Sequence, residues 1–500
     1  MQRGLVFGAG AVIVLLAGGL AVRSFTSQKA GAAVDQQIAQ LLSSLPPGTR
    51  ITHGTADYNP LTSTLTLHDL AVTQADGAAM NADTLTLSGG SADTASDMFD
   101  PSHYPGGRPA WTGRRPLIAD AGLSNVRLTN PAQPGGAVLI RSVTLHRLSG
   151  RPFAMPPTPP NRADPAFQAD VALALAFDTL AVTGLRTQAT ETRTAALSLG
   201  SFALNDYDGG TIGAASVKDL VIDAAGKGPR ARPVHVSLNS LQAKTTDLRP
   251  LLHAILQSGK ADPRAFNQVT CGAGDIGRLE MSVAHGPKIS IASFHSEQIP
   301  PDAGGMKGNR ANVSGLTLAL GETPMPPTAA PALAAFGMQA ITADIDGVNH
   351  SSADGRQRDL REDIVLHDLG TLHVRAAISG YDAALIQPGK PMAALAASTI
   401  DHAQLVWDDN SLTGRLLAVA AVQLHTTPDL VKAQLAMPVV TLGLMMPDQP
   451  DAADQVTAFL NSPHSLTITA DPPQKVTIGQ LGTVPMAERA RMLGLRIAGK

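Results

Sequence analysis

Aromatic residues are scarce in this chain, at 3% of 500 residues, so any core must be filled by Leu, Val, Ile and Ala. Charge is also sparse. Asp, Glu, Lys and Arg together make 16%, which is low for a soluble enzyme, and the net charge of −3 provides no electrostatic basis for nucleic-acid binding. The lone Cys271 excludes an intrachain disulfide framework and any multi-cysteine metal site. Nucleotide and hydrolase signatures are missing as well: there is no Walker loop, no G-x-S-x-G, no H-E-x-x-H and no His-x-His pair. What the chain has in quantity is turn formers, 36 prolines and 47 glycines, which suit many short strands better than long helices.

One stretch recurs in variants along the chain. LTLHDLAV, Leu65 to Val72, is apolar at its first, third, sixth and eighth positions, as are ASVKDLVI (Ala215 to Ile222) and ANVSGLTL (Ala311 to Leu318). VSLNSLQA from Val236 follows the same spacing, and the segments starting at Val143, Leu180, Ile289 and Ile364 keep its first three apolar positions. Alternation marks a strand with one buried face. The two polar residues in the middle break the phase, and an unbroken strand would then turn its second half outward. A β-bulge at His68-Asp69, Lys218-Asp219 and Ser314-Gly315 would restore the face. A two-residue hairpin would do so too, but its arms would be very short and most of the central pairs are not turn-type, so the bulge is favoured. The residues expected on the apolar face are Leu65, Leu67, Leu70 and Val72, then Val217, Leu220 and Ile222, then Val313, Leu316 and Leu318.

Leu5 to Val22 contains no charged residue and stands between Arg3 and Arg23. Its length meets the lower end for a spanning helix, about 17–25 residues, and exceeds the about 7–15-residue core of a cleavable signal. The expectation is an uncleaved anchor over residues 1–26, N-terminus inside, followed by a helical stalk over 27–50. Residues 51–392 read as a repetitive β-rich body, interrupted by long loops at Ser91 to Pro116 and Arg151 to Pro165. Helices are expected at Thr246 to Gly259 and Pro331 to Gln339. From residue 393 the texture changes to a small α/β unit (393–500), with helices starting near Ser411, Pro428 and Asp451. The fold class expected is therefore mainly β (α+β): a transmembrane helix, an elongated bulged sheet of repeated short strands, and the α/β unit.

Several constellations invite a chemical reading and have a structural one beside it. Gly272, Gly274 and Gly277 match G-x-G-x-x-G, but the segments that follow alternate like strands, so a glycine-rich turn is expected rather than a dinucleotide site. His68-Asp69 and His367-Asp368 resemble acid–base pairs, yet neighbours on a strand face opposite ways. Asp408-Asp409 precedes a predicted helix, where capping accounts for it. Arg108, Arg114 and Arg115 could meet anionic headgroups, and loop solvation is the simpler account. No catalytic residue, metal ligand or cofactor is expected.

The order of anchor, stalk and D-Y-N-P-L-x-x-x-L-T-L-H-D-L resembles the start of AsmA-like bitopic proteins of the Gram-negative envelope. The resemblance rests on Asp57, Tyr58, Asn59, Pro60, Leu65, Leu67, Asp69 and Leu70, with the later repeats behind them. It implies a curved sheet with a greasy concave face, an inner-membrane anchor, a periplasmic body, and a non-enzymatic role in envelope biogenesis and lipid movement. The partners implied are the bilayer, lipid ligands or other envelope proteins. The alternatives are an interaction scaffold with a closed core and, less favoured, an exported hydrolase.

Overall fold

The computed structural model describes residues 35, 48–90, 113–130, 136–152, 165–187, 195–225, 232–260, 269–284, 286–301, 305–319, 330–382, 385, 392–446 and 448–499. The expected membrane anchor falls outside them, as does the stalk except for Asp35, which is helical, and Gly48 to Arg50. No helix among the described residues is long and apolar enough to cross a membrane. The chain is mainly antiparallel β-sheet and divides into two compact units, one up to Gly272 and the other from Ala273.

The first unit begins with β1 (Arg50–Thr52), β2 (Ala56–Asn59), β3 (Thr64–Thr73), β4 (Ala79–Ser88), β5 (Arg115–Thr129) and β6 (Ala137–Gly150). After helix α1 (Pro165–Ala174) come β7 (Leu175–Thr187), β8 (Ala195–Asp208), β9 (Thr211–Ala224), β10 (Val234–Asp247) and helix α2 (Arg249–Ser258). Strands β3 to β10 pair each with the next, all antiparallel, while β1 and β2 both pair with β3. Helix α1 starts at Pro165, where the expected proline-rich loop ends, and has no counterpart among the helices expected from the sequence. Tyr207 donates to the Ala172 carbonyl (2.8 Å) and stacks on Phe177, and Arg114 donates to the carbonyls of Leu173 and Ala174 and pairs with Asp208. Arg114 is therefore a structural tie rather than a loosely solvated loop residue.

The central polar pairs lie inside continuous strands, so they are not hairpins. Two of the three are not bulges either. Leu67 faces Leu85 and Leu70 faces Ala82, so three steps on β3 are matched by three on β4. Leu199–Leu220 and Phe202–Val217 keep the same count across β8 and β9. The phase is reset instead by a residue in the left-handed region. Asp69 (φ 53°), Asn125 (48°), Gly184 (63°) and Asp219 (52°) form one level of such residues on β3, β5, β7 and β9. Arg147 (50°), Asp206 (53°) and Thr245 (52°) form a second level on β6, β8 and β10. The intervening strand shifts phase at the same height, so no register is lost. The left-handed residue leans over its neighbour: a Cβ on Gly200 would lie 2.9 Å from the Asp219 carboxylate, and one on Gly213 2.7 Å from the Asp206 Cβ. Asp and Asn tolerate this conformation; a β-branched residue does so at a cost of about 1–2 kcal/mol. Thr245→Asn is expected to raise the first unit's thermal midpoint by a few degrees, read by circular dichroism.

The second unit contains β11 (Thr270–Ile276, which it shares with the first), β12 (Leu279–Val283), β13 (Lys288–Ile291), β14 (Ser293–Ile299) and β15 (Lys307–Ala319). Then follow α3 (Ala330–Phe336), β16 (Ala340–Ser351), β17 (Arg358–Leu366), β18 (Gly370–Ser379), α4 (Ala393–Ala397) and β19 (Thr399–Asp409). Helices α5 (Leu412–Gln423), α6 (Pro428–Met445) and α7 (Ala452–Asn461) precede β20 (Ser465–Ala470), β21 (Val476–Thr477), α8 (Ile478–Leu481), α9 (Met486–Leu493) and β22 (Leu495–Gly499). Pairing runs β11–β14–β15–β16–β17–β18–β19–β20–β22. Here the expected bulge is real: the register shifts between Val313 and Leu316, around Ser314-Gly315, where the Gly315 N–H donates to Asp344 (2.7 Å). Gly272 and Gly274 lie within β11, not in a turn, and β12 rather than a helix follows. Helix α6 continues past Pro438, which sequence reading did not anticipate.

Candidate functional site

Residues directly opposite one another across a sheet share a face, so each strand register defines transverse rungs. In the first unit one apolar rung crosses eight strands: Leu67, Leu85, Leu123, Val143, Val182, Phe202, Val217 and Leu241. Burial changes along it. Leu67, Leu85 and Leu123 are 0%, 1% and 4% exposed, whereas Val143 and everything beyond it is only half-buried. The core centres on β3 to β6, with Phe167 and Val171 of α1 packed against it. Of the expected face residues, Leu65, Leu67, Leu70 and Val72 therefore belong to a closed core. Val217, Leu220 and Ile222 lie together on β9, half-buried. In the second unit Val313, Leu316 and Leu318 on β15 are also half-buried. Val313 belongs there to a second apolar rung, Ile276, Phe294, Val313, Ile345, Ile364, Leu372, Trp407 and Leu466, half-buried throughout.

The opposite face of the second unit carries a polar rung: Asp275, His295, Asn312, Asp346, Asp363 and His373 stand in register across β11, β14, β15, β16, β17 and β18. His295 donates to Asp275 (2.6 Å), with Glu297 3.7 Å away. His373 donates to Asp363 (2.6 Å) and has Asp408 at 3.4 Å, and Arg310 holds Asp346 (3.1 Å). Such pairing recurs. His53, His68, His146, His235, His295, His367, His373 and His402 each lie within 3.2 Å of an aspartate oxygen, so among the described residues eight histidines stand paired with an aspartate. His68 meets Asp57 and His367 meets Asp344, so neither pairs with its sequence neighbour. Asp409 accepts from the Thr413 N–H (2.9 Å), capping α5 as expected, while Asp408 faces His373.

These pairs shift titrations. The hydrogen bond to Asp275 holds His295 above the ordinary histidine value, and the one from His373 holds Asp363 below the ordinary carboxylate value. The histidine contribution is complete below its unfolded value of about 6.5 and is lost as pH rises through the raised folded value. The aspartate contribution is present above about 3.9 and is lost as pH falls through the lowered one. The urea midpoint of the second unit should accordingly be higher near pH 5.5 than near pH 8.5, and His295→Gln should reduce that difference.

Among the described residues no group of histidine, cysteine and carboxylate side chains is arranged to hold a metal ion. A cavity of about 250 Å³ next to Met446, Gln449, Asp471, Arg491 and Arg496 is smaller than the about 300–1,000 Å³ usual for ligand sites. The polar rungs are not legible in the sequence because only strand register aligns them; the signal that could have raised them is the alternation of polar and apolar residues in H-V-R (373–375). Residues 363–499 match the model of a family described as "Uncharacterized protein". A comparison with curated proteins returns no match.

Proposed function

We propose that this chain is a non-enzymatic, membrane-anchored protein of the Gram-negative envelope, AsmA-like in its first strands, whose sheet binds lipid acyl chains on its apolar face. The anchor is Leu5 to Val22, which places the body in the periplasm. The observation that supports the reading is the change along one rung, from the sealed Leu67, Leu85 and Leu123 to the half-buried Val182, Phe202, Val217 and Leu241. Partly uncovered apolar rows on a sheet are a place where acyl chains gain about 0.8 kcal/mol per buried CH₂.

The test is a fluorescent fatty-acyl probe titrated into the purified chain. Saturable binding is expected, weakened at least tenfold by Leu220→Asp with the circular dichroism unchanged. A second reading, an interaction scaffold with a closed core, has the full burial of Leu65, Leu67, Leu70 and Val72 in its favour. It becomes the account to keep if a well-folded chain binds no probe.

A further inference from the structure

The polar face of the second unit has another rung two residues along from the Asp/His rung. From β17 to β22 it reads Arg361, Arg375, Gln404, Thr469 and Arg496 in unbroken register. It contains three cations and no carboxylate. Arg361 and Arg375 face each other directly, a like-charge pairing that costs stability in a sheet. Arg361 reaches Asp363 (3.3 Å), but among the described residues no carboxylate lies within ion-pair distance of Arg375 or Arg496, and both are exposed. Of the acids nearby, Asp363 also accepts from His373, Asp471 accepts from His402 (2.6 Å), and Asp448, which lines one cavity with Arg496, lies 3.9 Å from Arg491; Asp359 stands two residues before Arg361 on the same face of β17. Under the Thr469 and Arg496 end of the rung, the opposite face of β20 and β22 is packed, with Ile468, Leu495 and Ile497 against Ala452 and Ala490 of α7 and α9.

We propose that this rung is a binding site for a phosphate-bearing ligand. Paired guanidinium groups match the oxygens of a phosphate edge-on. Arg375 and Arg496 stand three strand spacings apart, about 14 Å, so the two side chains can lean inward over Gln404 and Thr469, whose amide and hydroxyl add neutral donors. An anion there relieves the Arg361–Arg375 repulsion, which gives the site a reason to be occupied. The site is separate from the apolar face and stands whether or not acyl chains bind there.

The experiment uses the full chain and three water-soluble probes followed by calorimetry: inorganic pyrophosphate, short-chain phosphatidic acid below its micelle concentration, and the matching phosphatidylcholine. Expected is saturable, salt-sensitive binding of pyrophosphate, phosphatidic acid or both, with no comparable binding of phosphatidylcholine. The double variant Arg375→Gln, Arg496→Gln should weaken it at least tenfold with the circular dichroism intact, while Asp359→Asn should strengthen it. Binding of phosphatidic acid alone identifies a lipid headgroup; binding of pyrophosphate as well shows that the phosphate suffices. The proposal is overturned if neither phosphate probe binds, if phosphatidylcholine binds equally, or if the double variant binds as the parent does.

Discussion

Leu67→Asp is expected to unfold the first unit at ambient temperature, or to cost about 4–5 kcal/mol if a folded fraction survives. Leu67 is fully buried, between Leu85 on β4 and Ala56 on β2, with Leu65 and Leu70 beside it in the same cluster. The side chains of its core cluster are aliphatic or aromatic, and none of them is a cation that could pair with a carboxylate. Thr66→Asp, one residue away on the opposite face and only half-buried, should stay within about 1 kcal/mol. Urea unfolding followed by circular dichroism separates the two. Similar losses at both positions would mean that the alternation of β3 does not divide core from surface.

The second large effect is expected at Gly494, the residue that turns α9 into β22. Its φ of 56° lies in the left-handed region, and a Cβ there would run into the Asp471 carbonyl oxygen, which belongs to backbone and cannot swing aside. Gly494→Ala therefore combines conformational strain with a steric conflict, together about 3 kcal/mol or more. The loss should fall on β22, whose Ile497 is buried with Ala490, Ala452 and Met446 and whose partner is β20. Gly414→Ala is the control. That glycine sits within α5 with nothing in reach of an added Cβ, so alanine should stabilise by up to about 1 kcal/mol. Thermal unfolding of the two variants should shift in opposite directions; a neutral Gly494→Ala would show that the α9–β22 turn gives way freely.

The apolar alternation was legible because it is local. Leu65, Leu67, Leu70 and Val72 state their common face within eight residues, and the Asp409 cap and the Gly259 stop of α2 are equally near their helices. What was not legible depends on partners. Whether His68-Asp69 makes a bulge or an in-register left-handed step is decided by β4, which shifts phase at the same height, and nothing in LTLHDLAV encodes that. The same holds for the Arg361–Arg375 pairing, and for the difference between sealed Leu67 and half-buried Val217, which carry the same pattern in sequence. Helix α1 was hidden by the prolines before it, and α6 by Pro438 within it.

The left-handed steps have a consequence for how such a chain can vary in length. At each level they occur on every second strand, β3, β5, β7 and β9 in one and β6, β8 and β10 in the other. The repeating element of the first unit is therefore a pair of strands, offset by one strand between the two levels. Losing or duplicating a hairpin leaves both series in step, while losing one strand places two leaning residues side by side, where Gly200 and Gly213 now make room. Evolution can count in this fold only by twos.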